Sequence, residues 1–158
     1  MDNLETSVAS SPYFNLYLMS QIYENDYAFL SKSIRVQQLI EERGDVHHVF
    51  PKKYLQNNGY NNRRHYNQIA NYVYTEQAVN LAIKDQAPEK YMEVVRQQIA
   101  DSEFAIGEIN DEPSLKENMK MNCVPESIFS MTANNYDEFL VERRRMIMKK
   151  IRRFYEKL

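Results

Sequence analysis

Two adjacent histidines, His47 and His48, lie in the run Gly44-Asp45-Val46-His47-His48-Val49-Phe50-Pro51, and two asparagines, Asn71 and Asn80, follow nine positions apart. Only three histidines occur in the chain, so this pair concentrates most of its imidazole chemistry at one point. A neutral imidazole can take a proton from water or hold a divalent metal. An asparagine amide donates and accepts at once, so it can tie two backbone segments together. Histidine and asparagine in this order point to hydrolysis at phosphate. The dipeptide alone fits a polar turn or a strand end equally well, and the downstream residues give it meaning.

The elements that must position these residues can be read around them. Val46 to Phe50 is β-like and closed by Pro51, and Asn71 opens a β-branched and aromatic stretch. Thr75, followed by a helix-forming run that contains Asn80, reads as a helix start with Thr75 as its N-cap. The order is strand, connection, strand, helix, with His48 on the first strand, Asn71 at the start of the second and Asn80 on the helix.

That arrangement resembles the ββα-metal (HNH, or His-Me finger) nuclease motif in its His-Asn-Asn form, and the interval from Asn71 to Asn80 is the one usual between the last two signature positions. A wider resemblance rests on Ser11-Pro12-Tyr13-Phe14-Asn15-Leu16-Tyr17-Leu18, Phe29-Leu30-Ser31-Lys32, the His-His-Val-Phe-Pro-Lys run, Asn122-Cys123-Val124-Pro125-Glu126 and Phe139-Leu140-Val141-Glu142-Arg143-Arg144-Arg145. These look like the C-terminal nuclease region of GmrSD-type restriction proteins. The resemblance implies a metal-dependent DNA endonuclease of a restriction or anti-phage defence system, acting on modified or foreign DNA. It also implies a ParB-like nucleotide-hydrolysing domain, in cis beyond this sequence or in trans as a partner.

Within that resemblance His48 is the general base. An imidazole with an ordinary pKa of about 6.5 is largely deprotonated at neutral pH. Asn71 serves position, tying the hairpin and fixing the imidazole's orientation. The metal is expected between His47 and Asn80. In a regular strand His47 and His48 face opposite sides, so both serve one site only if the strand is irregular or the metal lies at its end. Lys84 and Glu76 stand one turn either side of Asn80, leaving a protein-poor cage that suits Mg²⁺ or Mn²⁺ better than zinc.

Two surfaces could meet DNA. Lys52, Lys53, Arg63 and Arg64 flank the site, and Arg144, Lys149 and Arg152 belong to a dense basic run near the C-terminus. Phe139, Leu140, Ile147, Ile151 and Phe154 form an apolar stripe on that same helix, so its cations also fit a merely solvated face. The twelve tyrosines read as core and interface material.

Composition agrees with one domain. A chain of 158 residues with 43% apolar content can bury a sizeable core, and a net charge of −2 leaves nucleic-acid binding to local charge distribution. The single cysteine, Cys123, excludes an internal disulfide and paired-cysteine zinc knuckles. Three glycines leave little material for a phosphate loop, so nucleotide hydrolysis by this chain is not expected. The polar N-terminus lacks an apolar signal core and no run approaches the roughly 20 residues of a membrane span, so the expected compartment is the cytoplasm, with no membrane partner.

The expected fold is α+β: a mostly helical domain over residues 1–158 built around the nuclease centre at about 44–86, with helical flanks at 12–43 and 88–158. Short helices are expected over Pro12 to Gln21 and Asp26 to Ser31, and a third ending near Gly44. Arg63 to Ile69 could form another helix, one runs from Pro88 to about Ala100, and a long one from Asn135 to Leu158. Asp101 to Asn122 is acidic and less periodic. One centre cuts one strand, so double-strand cleavage requires a homodimer or repositioning. The rival reading is a catalytically silent DNA- or partner-binding module of such a system.

Overall fold

The computed structural model describes residues 11–158, and among them helices surround one two-stranded antiparallel ribbon. The polar opening segment, residues 1–10, lies outside the described residues. The α-helices are α1 (Pro12–Tyr23), α2 (Val36–Glu41), α3 (Lys52–Asn57), α4 (Arg63–Tyr66), α5 (Gln77–Ile83), α6 (Pro88–Asp101), α7 (Glu112–Met121) and α8 (Tyr136–Glu156). The strands are β1 (Val46–His48) and β2 (Tyr72–Tyr74). The α+β expectation holds in this form: helix predominates, and the one small sheet is central to it.

Each end signal works through a local bond. Ser11 accepts from the Tyr13 N–H and Pro12 supplies the first turn of α1. Pro88 does the same for α6, whose buried Tyr91, Met92, Val95 and Gln98 follow helical spacing. α7 was not legible in the acidic stretch. Asp111 caps it by accepting from the Ser114 N–H at 2.8 Å, and Leu115, Asn118 and Met119 face the core.

The helix expected over Asp26 to Ser31 does not form. Tyr27 bridges Arg35, the Phe29 N–H donates to the Tyr74 carbonyl, and Leu30 adopts φ +58°. The buried Asn118 amide accepts from the Leu30 N–H and donates to the carbonyls of Ala28 and Ser31. Backbone groups satisfied from outside need no helical ladder. Thr75 likewise is not an N-cap. Its hydroxyl donates to the Phe29 carbonyl at 2.7 Å, and α5 starts after Glu76 with no side-chain cap.

An isolated two-stranded ribbon is marginal in water, and here apolar clusters stand on both sides of it. Val73, Val49 and Phe50 join the larger cluster with Phe29, Tyr91 and Phe139. Tyr72 joins the smaller one with Phe14, Tyr17, Cys123 and Ile147. Cys123 is buried, as expected of a small core residue.

The C-terminal helix departs from its expected outer role. Phe139, Leu140, Ile147 and Phe154 are buried as the stripe predicts, but so are Arg143, Arg144 and Lys150. Lys150 bridges Glu24 at 2.5 Å and Asp26 at 2.7 Å. Burial holds the Asp26 carboxyl up at about 6 against the opposing pull of Lys150. Arg143 is fully buried and donates to the carbonyls of Ala70 (2.9 Å), Tyr72 (2.6 Å) and Asn122 (3.1 Å). α8 thereby grips the backbone on both sides of Asn71.

Candidate active site

The antiparallel register sets His48 opposite Tyr72, His47 opposite Val73 and Val46 opposite Tyr74. It runs without a bulge, so pleating sends His47 and His48 to opposite faces. Their surroundings differ accordingly. The His48 ring meets Tyr72 edge-on, with centroids 5.5 Å apart, and its Nε2 lies 2.9 Å from Asn67 Oδ1. His47 instead lines a cleft of about 430 Å³ that it shares with Asn80 and with Glu42, Asp45 and Glu76. The structure thus places His47 and Asn80 on the lining of one cleft and leaves His48 outside it.

Burial is the main cause of a lowered pKa at both imidazoles. At His48 the Asn67 hydrogen bond opposes it, while the charges of His47 and Lys52 add to it. At His47 the nearby Asp45 carboxylate opposes it. Burial thus favours the neutral form of both rings, the form that accepts a proton or binds a cation.

Asn71 is completely buried and acts on the backbone. Its Oδ1 accepts from the Phe50 N–H at 2.8 Å, and its Nδ2 donates to the carbonyls of Phe50 and Tyr66, both at 3.1 Å. Its own carbonyl accepts from the Val49 N–H at 2.9 Å. A side chain thus continues the hairpin's pairing beyond the last ladder position. The expectation that Asn71 ties the hairpin is met. The side chain that meets the His48 imidazole is Asn67.

Charge divides along the same line as the faces. Lys52, Lys53, Arg63 and Arg64 are exposed on α3 and α4. Lys52 lies near enough to depress the pKa of His48, and Arg63 near enough to lower that of Tyr72 against the larger effect of burial. The side of His48 is therefore electropositive. The cleft of His47 and Asn80 carries three carboxylates and one cation, Arg43.

In that cleft His47 and Asn80 are the expected side chains that could reach a divalent ion. Among the described residues no three His, Cys, Asp or Glu side chains are grouped so as to hold a metal by themselves. Zinc sites want three or four such ligands. One imidazole and one amide oxygen suit Mg²⁺ or Mn²⁺, which keep waters and take oxygen from a substrate.

The distal cations separate into two kinds. Arg144 is 9% exposed and donates to Gln68 Oε1 at 3.3 Å, so it braces the segment next to Asn67. Lys149 and Arg152 are exposed, and Arg152 pairs with Glu156 at 3.2 Å. The sequence reading missed Asn67, a polar residue in a short connection with no periodic signal. It placed Arg143 in the basic run of α8, as phosphate contact or solvated face, although Phe139, Arg143 and Ile147 recur at a four-residue spacing that places all three on the apolar stripe.

No helix among the described residues is long and apolar enough to cross a membrane. Compared with protein-family models, with curated proteins and with solved structures, the chain has no match, so its geometry carries the functional reading.

Proposed function

We propose that this protein is a divalent-metal-dependent DNA endonuclease of a restriction or anti-phage system that attacks modified or foreign DNA in the cytoplasm. The observation that carries this reading is the antiparallel β1–β2 ribbon followed by α5, tied by the Asn71 amide to Phe50, with His48 at the end of β1 and Asn80 beside His47. In it His48 takes the proton of the attacking water, and Asn71 holds the hairpin. Lys52, Lys53, Arg63 and Arg64 draw the DNA backbone to the face of His48. His47 and Asn80 would hold Mg²⁺ or Mn²⁺ on the other face of β1, and the ion would supply charge neutralisation to a phosphate that reaches round the strand from the side of His48. Target recognition belongs to a ParB-like domain in cis or in trans, as the sequence resemblance implies. Nicking of supercoiled plasmid with Mg²⁺ or Mn²⁺, abolished by chelator, is the expected result.

A second reading, a silent DNA- or partner-binding module, is favoured by one observation. The unbroken register sends the two histidines to opposite faces. DNA retention without cleavage in any divalent metal would select it.

Two further results are expected. Asn80→Ala should lower cleavage and raise the metal concentration needed, with partial recovery at high Mn²⁺, whose affinity for such donors exceeds that of Mg²⁺. An unchanged metal dependence removes Asn80 from the ligand set. Salt titrations of DNA binding should separate the two basic surfaces. Removing Lys52 and Arg63 together should reduce the slope of log affinity against log salt by about 2, since each phosphate contact contributes about 0.9. Removing Lys149 and Arg152 should leave that slope nearly unchanged, and a drop as large as the first would return α8 to the interface.

A further inference from the structure

We infer that Asn67 is the positioning residue of the catalytic base: its side-chain oxygen accepts the Nε2 proton of His48, which leaves Nδ1 as the nitrogen that takes the proton from water. The inference rests on the endonuclease reading for its functional half and on geometry for the rest. His48 Nε2 and Asn67 Oδ1 are 2.9 Å apart, ordinary hydrogen-bond distance. A neutral imidazole has one donor nitrogen and one acceptor nitrogen, so a partner that accepts at Nε2 fixes the tautomer.

Asn67 can do this because its own place is over-determined. Its N–H donates to the Arg63 carbonyl at 3.0 Å, closing α4. The carbonyl before it, that of Tyr66, accepts from Asn71 Nδ2. The carbonyl before that, of His65, accepts from the buried Tyr136 hydroxyl at 2.7 Å. The residue after it, Gln68, accepts from Arg144 and donates to the Arg64 carbonyl at 2.6 Å. Asn71 therefore reaches His48 through Asn67: one amide fixes the backbone at Tyr66, and the next side chain fixes the ring. An imidazole held this way needs no rotation when substrate arrives, which is what positioned proton transfer requires.

The test uses the full chain with ¹⁵N-labelled histidine, whose three imidazoles can be assigned one by one. With the rings neutral, long-range ¹H–¹⁵N spectra of the unaltered protein should show His48 with a protonated Nε2 and a bare Nδ1, and an Nε2 proton slow to exchange. Asn67→Asp keeps the accepting oxygen and should keep that signal. Asn67→Ala should lose it and leave the ring averaging between tautomers. In plasmid cleavage, Asn67→Ala should lower kcat by about 10–100-fold, the usual cost of removing a histidine's outer partner, with KM unchanged, while Asn67→Asp restores most of the loss. A bare Nε2 in the unaltered protein overturns the inference, as does a full kcat in Asn67→Ala. If the unaltered protein cleaves nothing with either metal, the endonuclease reading fails, and the spectra alone decide whether Asn67 sets the ring.

Discussion

His48→Ala is expected to reduce metal-dependent nicking of supercoiled DNA by about 10²–10⁴-fold, the range a positioned general base supplies. The fold should survive. The truncation removes one hydrogen bond to Asn67 and one edge contact with Tyr72 from a half-buried position, a loss of about 1 kcal/mol on the usual scale of such bonds. Circular dichroism and the urea midpoint should therefore stay close to those of the unaltered protein, while single-turnover cleavage collapses. Added imidazole should return part of the rate if the missing ring is the base, because a free imidazole can take the same proton. A folded variant that nicks at the original rate moves the base elsewhere, with His47 the next residue to replace.

The largest effect on stability is expected from Arg143→Ala, at about 3–5 kcal/mol. Two costs combine. Three buried carbonyls, those of Ala70, Tyr72 and Asn122, lose their donor, and an unsatisfied buried acceptor costs about 1–3 kcal/mol. Removing a fully buried arginine also leaves a cavity, which costs more the less its walls can collapse. Among the described residues no carboxylate pairs with this guanidinium, so its removal strands no opposite charge. Arg143→Lys should recover only a fraction, because an ammonium donates from one point whereas the three carbonyls belong to separate segments. Urea unfolding at constant m-value measures the difference. A loss under about 1 kcal/mol would show that these bonds are replaced by water, within the ordinary scatter of surface substitutions.

How legible this protein was depended on whether a residue's task is local. Helices announced by proline and apolar spacing, α1, α6 and α8, were readable, because their signals lie within a few residues of each other. The order β1, β2, α5 was readable from the β-like run closed by Pro51, the β-branched and aromatic stretch after Asn71 and the helix-forming run after Thr75. The failures all involve partners far along the chain. Asp26 to Ser31 looks helical until Asn118, some 90 positions away, takes its backbone groups. Thr75 looks like a cap until Phe29 claims its hydroxyl. Arg143, Arg144 and Lys150 look like solvent charges until Ala70, Gln68 and Glu24 receive them. In the site, Asn71 was readable because its type and position both matter, whereas Asn67 owes its role to where α4 happens to stop.

The grip of Arg143 on Ala70 and Tyr72 has a consequence for the order in which this chain can mature. A ribosome releases β1 and β2 well before residue 143, and two three-residue strands cannot persist without packing on both faces. The β1–β2 ribbon therefore stays unassembled on the nascent chain and closes only when α8 arrives. A peptide spanning residues 44–86 should accordingly be unstructured, and a chain halted before α8 should lack the ordered ribbon that carries His47 and His48.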